Sequence, residues 1–473
     1  MRNLVTHYIN GKWTTPAGKE TTEVINPATE EIIGRVSLGT REDLDQAVVA
    51  ARDAYTFFSK TAKEDRVRLL EKIAEEYSKR KDDLIEVITE ELGAPITLTE
   101  QVHYEMGYNH FKMAAEELKH FNFVEKREKS TVVKEPIGVS GLITPWNFPT
   151  NQTSTKIASA IAAGSTVVLK PSELTPYSAV ILTEIFEAAG VPEGVFNLVN
   201  GTGEVVGDGI SSHPGIDFVS FTGSAAVGQK VMENGAKTIK NVALELGGKS
   251  PLVVLADADI NEAAKTAVNH IIKNSGQVCS AATRVLIPYS IKEEFEQAVI
   301  DVLPEFPIGN PLEKDTTAGP LVAQKQWDRV QRYIANGIEE GATLLAGGPG
   351  KPEGLSTGFY VRPTVFTDVR NNMTIAQEEI FGPVMSIITY ETIDQAISIA
   401  NDTIYGLSGY VVGEDPTILA ELASGIRAGQ VTVNNGEKDF SAPFGGFKQS
   451  GIGREWGSFG IEEYLQPKAI MGL

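Results

Sequence analysis

Apolar residues recur at helical spacing in three successive segments near the amino end of the chain. Thr40 and Asp43 form a capping-box pattern before the first segment, and Gly93 and Pro95 follow the third. The apolar positions of the three segments are Leu44, Ala47, Val48, Ala51 and Tyr55, then Val67, Leu70, Ile73 and Tyr77, then Leu84, Ile85, Ile88 and Leu92. This pattern predicts that the first hundred residues are mostly helical.

From about residue 137 onward, short apolar runs rich in β-branched residues alternate with amphipathic segments. The predicted strands cover 137–143, 166–170, 195–199, 217–221, 242–246, 251–255, 283–288, 384–390, 407–412 and 430–435, and the predicted helices between them cover 177–189, 224–235, 290–303, 392–401 and 415–427. Alternation of this kind is typical of βαβ units in a parallel sheet. We therefore predict two α/β lobes with a boundary near residue 250.

Two further strand-like segments, 131–136 and 464–473, lie outside both predicted lobes. Strands with free edges usually pair with another strand, so we expect these segments to form a contact between copies of the chain. A tail that folds onto its own subunit is the alternative, which the pattern favours less.

The composition is that of a large globular protein and excludes several classes of partner. The 473 residues are 42% apolar and 22% charged, which allows two or three lobes with a sizeable core. The net charge of −20 repels phosphate backbones and anionic membranes, so we expect neither a nucleic-acid nor a membrane partner. Residues 1–13 contain no apolar signal segment, which favours a cytoplasmic location.

The only cysteine, Cys279, lies in a loop of small and polar residues between a helical segment and a predicted strand. One thiol cannot form an intramolecular disulfide, so the chain does not depend on an oxidising compartment. A free cysteine is most often a small buried apolar residue. The small neighbours Gly276 and Ser280 favour the alternative, an exposed nucleophile beside backbone N–H groups, and such a thiol needs a base.

Histidine is a common base, but the histidines of this chain are poorly placed. None of the six lies in a glycine-rich loop at a strand end, and their spacing is not that of metal ligands, so we predict no metal site. Glu245 is the better candidate, because an acidic residue within an apolar strand needs a partner or a function. Gly247 and Gly248 follow it and let a ligand approach the backbone. A structural carboxylate bonded to a nearby amide is the alternative.

Features suited to a dinucleotide follow several predicted strands. The glycines between 201 and 207 miss the dinucleotide-binding spacing by one residue, but the next strand runs into Gly223 and a helix whose free N–H groups can bind a phosphate. Lys170 ends another strand and places a cation at the sheet edge where ligands of open α/β sheets bind. The segment PWNFP at 145–149 holds an amide in a rigid loop, suited either to an oxyanion or to a hydrophobic corner.

Seven motifs occur together along the chain, namely PWNFP at 145–149, KPSE at 170–173, FTGS at 221–224, ELGGKS at 245–250, GQVC at 276–279, EEIFGPV at 378–384 and PFGGFKQSGIGRE at 443–455. In this order they resemble the aldehyde dehydrogenase superfamily, and the resemblance extends over essentially the whole chain. It implies an α/β fold with a Rossmann-like cofactor domain, an α/β catalytic domain and a small β oligomerisation element. We expect an NAD-binding domain at 1–120 and 137–247, a catalytic domain at 248–450 and an oligomerisation element at 121–136 and 451–473, in a homodimer or homotetramer.

The resemblance also implies roles for individual residues. Cys279 matches the nucleophile, Asn147 the side-chain amide of the oxyanion hole, and Glu245 the base that activates the deacylating water. The residues that match cofactor contacts are Trp146, Lys170, Glu173, Gly223, Ser224, Leu246, Glu379 and Phe381. The implied reaction is NAD-dependent oxidation of an aldehyde to a carboxylic acid through a cysteine thiohemiacetal and a thioester.

Within this resemblance, two properties are hypotheses: the choice between NAD and NADP, and the molecule that accepts the acyl group from the thioester. Glu173 matches a residue at the adenosine ribose, where a carboxylate repels a 2′-phosphate, so we expect NAD, with NADP tolerated through Lys170. The closest alternative is a CoA-acylating semialdehyde dehydrogenase, in which CoA replaces water as the acceptor of the thioester. The presence of Glu245 favours hydrolysis, because a base that activates water is superfluous when CoA is the acceptor. Intact Cys279, Glu245 and Asn147 disfavour a second alternative, a non-catalytic paralogue.

The predicted substrate pocket departs from that of many members of the superfamily. Gln152 and Thr155 stand where many members have large apolar side chains. We therefore expect a small or polar substrate, with apolar walls from Phe148, Phe440 and Phe444. The sequence gives no compelling sign of a site for an anionic substrate.

Overall fold

Two large sheets, each built around a parallel core, organise residues 2–472, which the computed structural model describes. The eight-stranded sheet contains, in spatial order, Gly451–Ile452, Asn241–Glu245, Phe218–Thr222, Val139–Ile143, Thr166–Lys170, Phe196–Leu198, His7–Ile9 and Lys12–Thr14. The five strands from Asn241–Glu245 to Phe196–Leu198 are parallel. Gly451–Ile452 and His7–Ile9 are antiparallel to the parallel strand beside them, and Lys12–Thr14 is antiparallel to His7–Ile9. The predicted βαβ alternation of this part of the chain is therefore confirmed.

The seven-stranded sheet is built from the second half of the chain. It contains, in spatial order, Thr343–Ala346, Thr364–Thr367, Val384–Tyr390, Arg284–Pro288, Pro251–Val254, Ser408–Val412 and Gln430–Val433. Only Thr343–Ala346 is antiparallel to its neighbour. The chain passes from one sheet to the other between Glu245 and Pro251, so the structure is an α/β fold with two lobes.

Helices cover both faces of the eight-stranded sheet. Along Thr166–Lys170, Val167 and Leu169 join one apolar cluster, whereas Val168 joins another, because successive strand residues point to opposite faces. The α-helices of this lobe are Arg41–Phe58, Lys63–Lys79, Lys81–Leu92, Ile96–Leu98, Glu105–His120, Pro149–Ala163, Tyr177–Ala188, Asp208–Ser212, Ala225–Ala236 and Gly457–Glu462.

The second lobe has its own helices and its own apolar clusters. The α-helices between residues 250 and 450 are Ile260–Ile272, Lys292–Val302, Gln324–Glu339, Thr374–Gln377, Ile393–Asn401 and Pro416–Gly425. Across residues 2–472, no helix has both the length and the apolar character required to cross a membrane.

The three predicted amino-proximal helices are present. At the start of Arg41–Phe58, Thr40 Oγ1 accepts a hydrogen bond from the Asp43 N–H, and the Asp43 carboxylate accepts one from the Thr40 N–H. Lys81–Leu92 ends at Gly93, whose φ of 77° is left-handed.

The prediction that the first hundred residues are mostly helical is wrong for the segment before Arg41. The strands Arg2–Leu4, His7–Ile9, Lys12–Thr14, Thr21–Ile25 and Ile32–Ser37 occupy that segment. These strands are short, and Tyr8 pairs with Leu198 from a distant part of the chain, so local periodicity does not reveal them.

The two strand-like segments outside the lobes pair with each other. Ser130–Pro136 is antiparallel to Leu465–Met471 on one side and to Val124–Lys126 on the other. The tail therefore folds onto its own subunit, as in the less favoured alternative. Within residues 2–472, the outer edge of Leu465–Met471 has no partner strand, so a contact between copies stays a prediction. Gly451–Ile452, predicted to belong to the same oligomerisation element, instead pairs with Asn241–Glu245 in the eight-stranded sheet.

Candidate active site

Several predicted site residues meet at one edge of the eight-stranded sheet. Lys170 and Glu245 are the last residues of two parallel strands. Gly223 begins the turn after a third parallel strand, and Asn147 follows a fourth. Because carboxyl ends of parallel strands share an edge, these groups collect at the place where open α/β sheets bind ligands.

The Cys279 loop comes from the second lobe and makes a tight turn. Asn274, Ser275 and Gly276 have φ values of 50°, 57° and 74°, all left-handed. At Gly276 a side chain would collide with the backbone of Gly382, so glycine is required there. Such strain is typical of functional turns, and it leaves Cys279 partly exposed.

Hydrogen bonds join the Cys279 loop to the loop that carries Asn147. Asn147 Nδ2 donates to the Gln277 carbonyl at 3.0 Å, and Asn274 Nδ2 donates to the Asn147 carbonyl at 2.9 Å. The Cys279 N–H donates to no described backbone or side-chain acceptor. One N–H of the Asn147 amide and the Cys279 N–H are therefore available to an oxyanion.

Glu245 is a buried carboxylate without a hydrogen-bond partner for Oε2 among the described residues. Burial, and then the nearby Glu455 carboxylate, raise the pKa of Glu245 well above its ordinary value. The Lys156 ammonium opposes this shift, and Lys156 itself lies 2.6 Å from Glu455 in a buried ion pair. The alternative role for Glu245 is that of a structural carboxylate hydrogen-bonded to an amide. No amide of the described residues bonds to its Oε2, so this oxygen gives that role no support.

The thiol of Cys279 is neutral in these surroundings. Burial, then Glu379 and Glu245, raise the pKa of Cys279 to about 12, while Lys438 acts in the opposite direction. Burial raises the pKa of Glu379 to about 7, although its Oε1 accepts a hydrogen bond from the Gly248 N–H at 3.0 Å. The site thus holds a protonated thiol close to two carboxyl groups with raised pKa values, Glu379 at about 7 and Glu245 well above its ordinary value.

The predicted cofactor residues lie along the same edge and fit a dinucleotide. Lys170 Nζ donates to Glu173 at 2.8 Å. Ser224 precedes the helix Ala225–Ala236 and its side chain makes no capping hydrogen bond, so first-turn N–H groups remain free for a phosphate. Leu246 covers the helix at Gly228, where a side chain would meet Leu246 Cδ2 at 2.6 Å.

Two aromatic residues and one glycine complete the predicted cofactor region. Trp146 and Phe381 make an edge-to-face contact with ring centroids 5.4 Å apart. Phe381 has a left-handed φ of 63°, and Gln326 Nε2 donates to its carbonyl at 2.9 Å. A side chain at Gly247 would collide with the Glu379 carboxylate, which explains the glycine beside that group.

A cleft of about 810 Å³ leads to Cys279. Gln152, Val278, Ser280, Phe148 and Phe444 line it, in agreement with the predicted pocket. Two predicted wall or pocket residues lie elsewhere. Thr155 is buried in the helix Pro149–Ala163 and lines a separate small cavity with Lys156. Phe440 packs on Trp456 with centroids 5.0 Å apart, and Trp456 is the ring that faces the cleft.

The sequence pattern of the aldehyde dehydrogenase family matches residues 13–470. The chain belongs to the aldehyde dehydrogenase family. A Staphylococcus haemolyticus protein named "Putative aldehyde dehydrogenase" is 57% identical to it over 472 residues, which cover 100% of this chain and 99% of that relative.

Solved aldehyde dehydrogenases have the same fold. A cysteine-to-alanine mutant of aldehyde dehydrogenase C from Pseudomonas syringae, in complex with NAD⁺ and octanal, is 45% identical with a TM-score of 0.98, over 99% of this chain and 96% of that one. Betaine aldehyde dehydrogenase from Staphylococcus aureus, in complex with NAD⁺, is 39% identical with a TM-score of 0.96, over 98% of this chain and 94% of that one. These similarities confirm the predicted family and fold class.

Sequence reasoning missed several charged groups around the site of this aldehyde dehydrogenase. Lys156 and Glu455 form the ion pair beside Glu245, and the only signal for Lys156 was that it is the single charged residue of the helix Pro149–Ala163. Lys249 is fully buried, and burial lowers its pKa to about 7. Lys273 and Lys438 line the cleft. Among the described residues, no cluster of three or more His, Cys, Asp or Glu side chains is arranged to hold a metal.

Proposed function

We propose that this aldehyde dehydrogenase oxidises an aldehyde to a carboxylic acid with NAD⁺, through a thioester on Cys279 that water hydrolyses. The observation that carries the proposal is the meeting of three groups between the lobes. They are the partly exposed thiol of Cys279, the Asn147 amide bonded to its loop, and the buried carboxyl of Glu245 with an unpartnered oxygen.

The first step forms a bond between sulfur and the aldehyde carbon. The S–H proton leaves to the nearby Glu379 carboxylate, whose pKa of about 7 suits it to receive the proton and pass it to solvent, so Glu245 stays free for the later step. The carbonyl oxygen becomes an oxyanion that accepts hydrogen bonds from Asn147 Nδ2 and the Cys279 N–H. The product of this step is a thiohemiacetal.

The remaining steps remove a hydride and then the acyl group. The chemistry that bound NAD⁺ supplies is acceptance of the hydride from the thiohemiacetal carbon, which leaves a thioester on Cys279. Glu245 then takes a proton from water as the water oxygen attacks the thioester carbon. The C–S bond breaks, the carboxylic acid leaves, and the sulfur regains its proton from Glu245, which returns to the carboxylate form.

Lys170, Glu173, the Gly223–Ser224 turn and the Trp146–Phe381 pair are proposed to hold the dinucleotide. The Lys170 ammonium and its hydrogen bond outweigh the effect of burial and lower the pKa of Glu173, so its carboxylate stays charged near neutrality. A charged Glu173 repels a 2′-phosphate, which supports a preference for NAD⁺ over NADP⁺. Solved relatives that are 39–45% identical contain NAD⁺, in agreement with this choice.

The test is NADH formation from a panel of aldehydes without CoA, repeated with NADP⁺. Cys279→Ala is expected to abolish turnover. Glu245→Gln is expected to give one rapid equivalent of NADH per active site, followed by turnover slowed by about 10²–10⁴-fold, since only deacylation loses its base. Glu233→Gln, an exposed carboxylate on a distant helix face, serves as the control. Equal steady-state rates for Glu245→Gln and the unmodified enzyme, or a requirement for CoA, would contradict the mechanism.

A further inference from the structure

Two lysine side chains line the Cys279 cleft without an acidic partner. Lys273 lies at the end of the helix Ile260–Ile272, and Lys438 lies in the loop after Gln430–Val433. Among the described residues, neither ammonium group has an ion pair or a hydrogen bond. A third lysine of the cleft, Lys265, differs because it pairs with Glu305 at 3.4 Å. In a chain with a net charge of −20, two cations without an ion pair thus share the cleft that leads to Cys279, Lys273 half-buried and Lys438 exposed.

The acidic residues of the same cleft do not neutralise this pair. Glu455 is engaged by Lys156 at 2.6 Å, and the Asp439 carboxylate accepts hydrogen bonds from the Ser441 N–H and Oγ. The other carboxylates that line the cleft, Glu262 and Glu437, are exposed.

The surroundings of the two lysines favour an anionic ligand. Lys438 is exposed at the cleft surface and Lys273 is half-buried. Partial desolvation beside the cleft and then the neighbouring Lys273 lower the pKa of Lys438 to about 8, and burial lowers the pKa of Lys273. An anion between the two ammonium groups would relieve their mutual repulsion. A helix-terminal role explains Lys273 alone, but it does not account for Lys438 on a separate loop.

We propose that Lys273 and Lys438 bind the carboxylate of an aldehyde substrate that carries an acidic group at its other end. The inference rests on the proposed function and names the substrate class of the same cleft. The aldehyde end would reach Cys279 past the apolar walls of Phe148 and Phe444, while the carboxylate stays near the cleft mouth with the two lysines. This assignment replaces the expectation that the pocket has no site for an anion.

The first experiment compares aldehydes of equal length with and without a terminal carboxylate. Rates of NADH formation are measured for 4-oxobutanoate against butanal, and for 5-oxopentanoate against pentanal. A charge-assisted contact predicts a kcat/KM at least about tenfold higher for the acidic member of each pair. The double variant Lys273→Met and Lys438→Met is expected to lower this ratio at least about tenfold, mainly through KM. Lys265→Met, a cleft lysine already paired with Glu305, is the matched control and keeps the original ratio.

A binding measurement separates this inference from the proposed function. Calorimetry with butanedioate and butanoate reports the anion site without any turnover, and the double variant is expected to lose the preference for butanedioate. If butanedioate binds through the lysines but no aldehyde yields NADH, the anion site stands and the proposed function fails. If butanal yields NADH but neither the kinetic ratio nor the binding preference depends on the lysines, the anion site is overturned. Betaine aldehyde outperforming butanal would also overturn it, because a quaternary ammonium would meet two like charges.

Discussion

At the scale of single residues, the charges around Cys279 determine when it can react. Two carboxyl groups, Glu379 and Glu245, disfavour the thiolate, and Lys438 favours it. Since the thiolate is the nucleophile, a resting thiol of this kind is protected from indiscriminate reaction. Its activation requires removal of a proton or neutralisation of the adjacent carboxylates.

This charge balance predicts how Cys279 responds to pH. With a pKa raised to about 12, the thiolate fraction, and with it the rate of alkylation by iodoacetamide, should rise about tenfold per unit between about pH 7 and 9. Glu379→Gln removes the largest opposing charge and is expected to speed alkylation at every pH in this range. Mass spectrometry of the Cys279 peptide measures the rate.

The neighbouring Glu378→Gln is the control for that measurement. Glu378 accepts a hydrogen bond from the Tyr333 hydroxyl and does not affect the pKa of Cys279. An unchanged rate in Glu379→Gln, or an equal increase in both variants, would show that Glu379 does not control the thiol.

The sequence suffices to propose Cys279, Glu245 and Asn147 as candidates, because each residue type is unusual in its local setting. The structure adds their common location, while their roles stay predictions. Lys273 and Lys438 were missed because a lysine in a sequence gives no sign of whether it has a partner. The Lys156–Glu455 pair shows the same difficulty, since its members are 299 residues apart.

At the scale of elements, the end of Lys81–Leu92 connects the two lobes. Gly93 ends that helix, and a side chain there would meet Pro27 and Pro320 within 2.8 Å. The Ile96 N–H donates to the Pro311 carbonyl at 2.8 Å just beyond it. The helix end is therefore packed against a loop of the second lobe and leaves no room for a methyl group.

Gly190 offers a matched comparison for Gly93. The two glycines have φ values of 78° and 77°, but Gly190 has nothing within 4 Å of the position of an added Cβ. Alanine costs about 1–2 kcal/mol at both positions through the left-handed backbone, and the collision at Gly93 adds about 1–3 kcal/mol. We expect the apparent melting temperature of Gly93→Ala to fall at least about 2 °C below that of Gly190→Ala. Equal melting temperatures would show that the loop at Pro320 moves to accommodate the added methyl group without a loss of stability.

The sequence predicted helices and strands correctly where an apolar pattern extends over many residues. It missed strands whose pairing partners lie far away in the chain. The strand Thr166–Lys170 and the helix Tyr177–Ala188 match their predictions closely, because the strand is buried along its whole length and the helix has a continuous buried face. Lys12–Thr14 carries no alternation that distinguishes it from a loop, and only its partner His7–Ile9 makes it a strand. Such short edge strands depend on tertiary pairing rather than on their own residues.

At the scale of the whole molecule, we predict that the three-stranded sheet of Val124–Lys126, Ser130–Pro136 and Leu465–Met471 is a surface for assembly. Leu465–Met471 forms its outer edge, and Met471 is 74% exposed. An open edge with exposed apolar residues is suited to pairing with a second copy. Assembly through this edge, into a homodimer or a homotetramer, stays a prediction.

A single charge at this edge tests the assembly. Met471→Glu would place like charges close together in a symmetric contact and is expected to shift the species in sedimentation velocity toward the monomer. Met232→Glu, at a 43% exposed position on the helix Ala225–Ala236, is the control and is expected to leave the assembly unchanged. An unaltered sedimentation coefficient for Met471→Glu would place the contact elsewhere.

The pairing of Gly451–Ile452 with Asn241–Glu245 has a consequence for biosynthesis. The ribosome completes Asn241–Glu245, the strand that carries Glu245, long before it adds Gly451–Ile452, the strand that pairs with it. The Ser450 carbonyl and Glu455, which border the Glu245 region, emerge from the ribosome at the same late stage. Domains fold as they are synthesised, yet this site cannot be completed until almost the whole chain has been made. Premature termination before Gly451 therefore yields a product without a finished reaction centre, however well its first lobe folds.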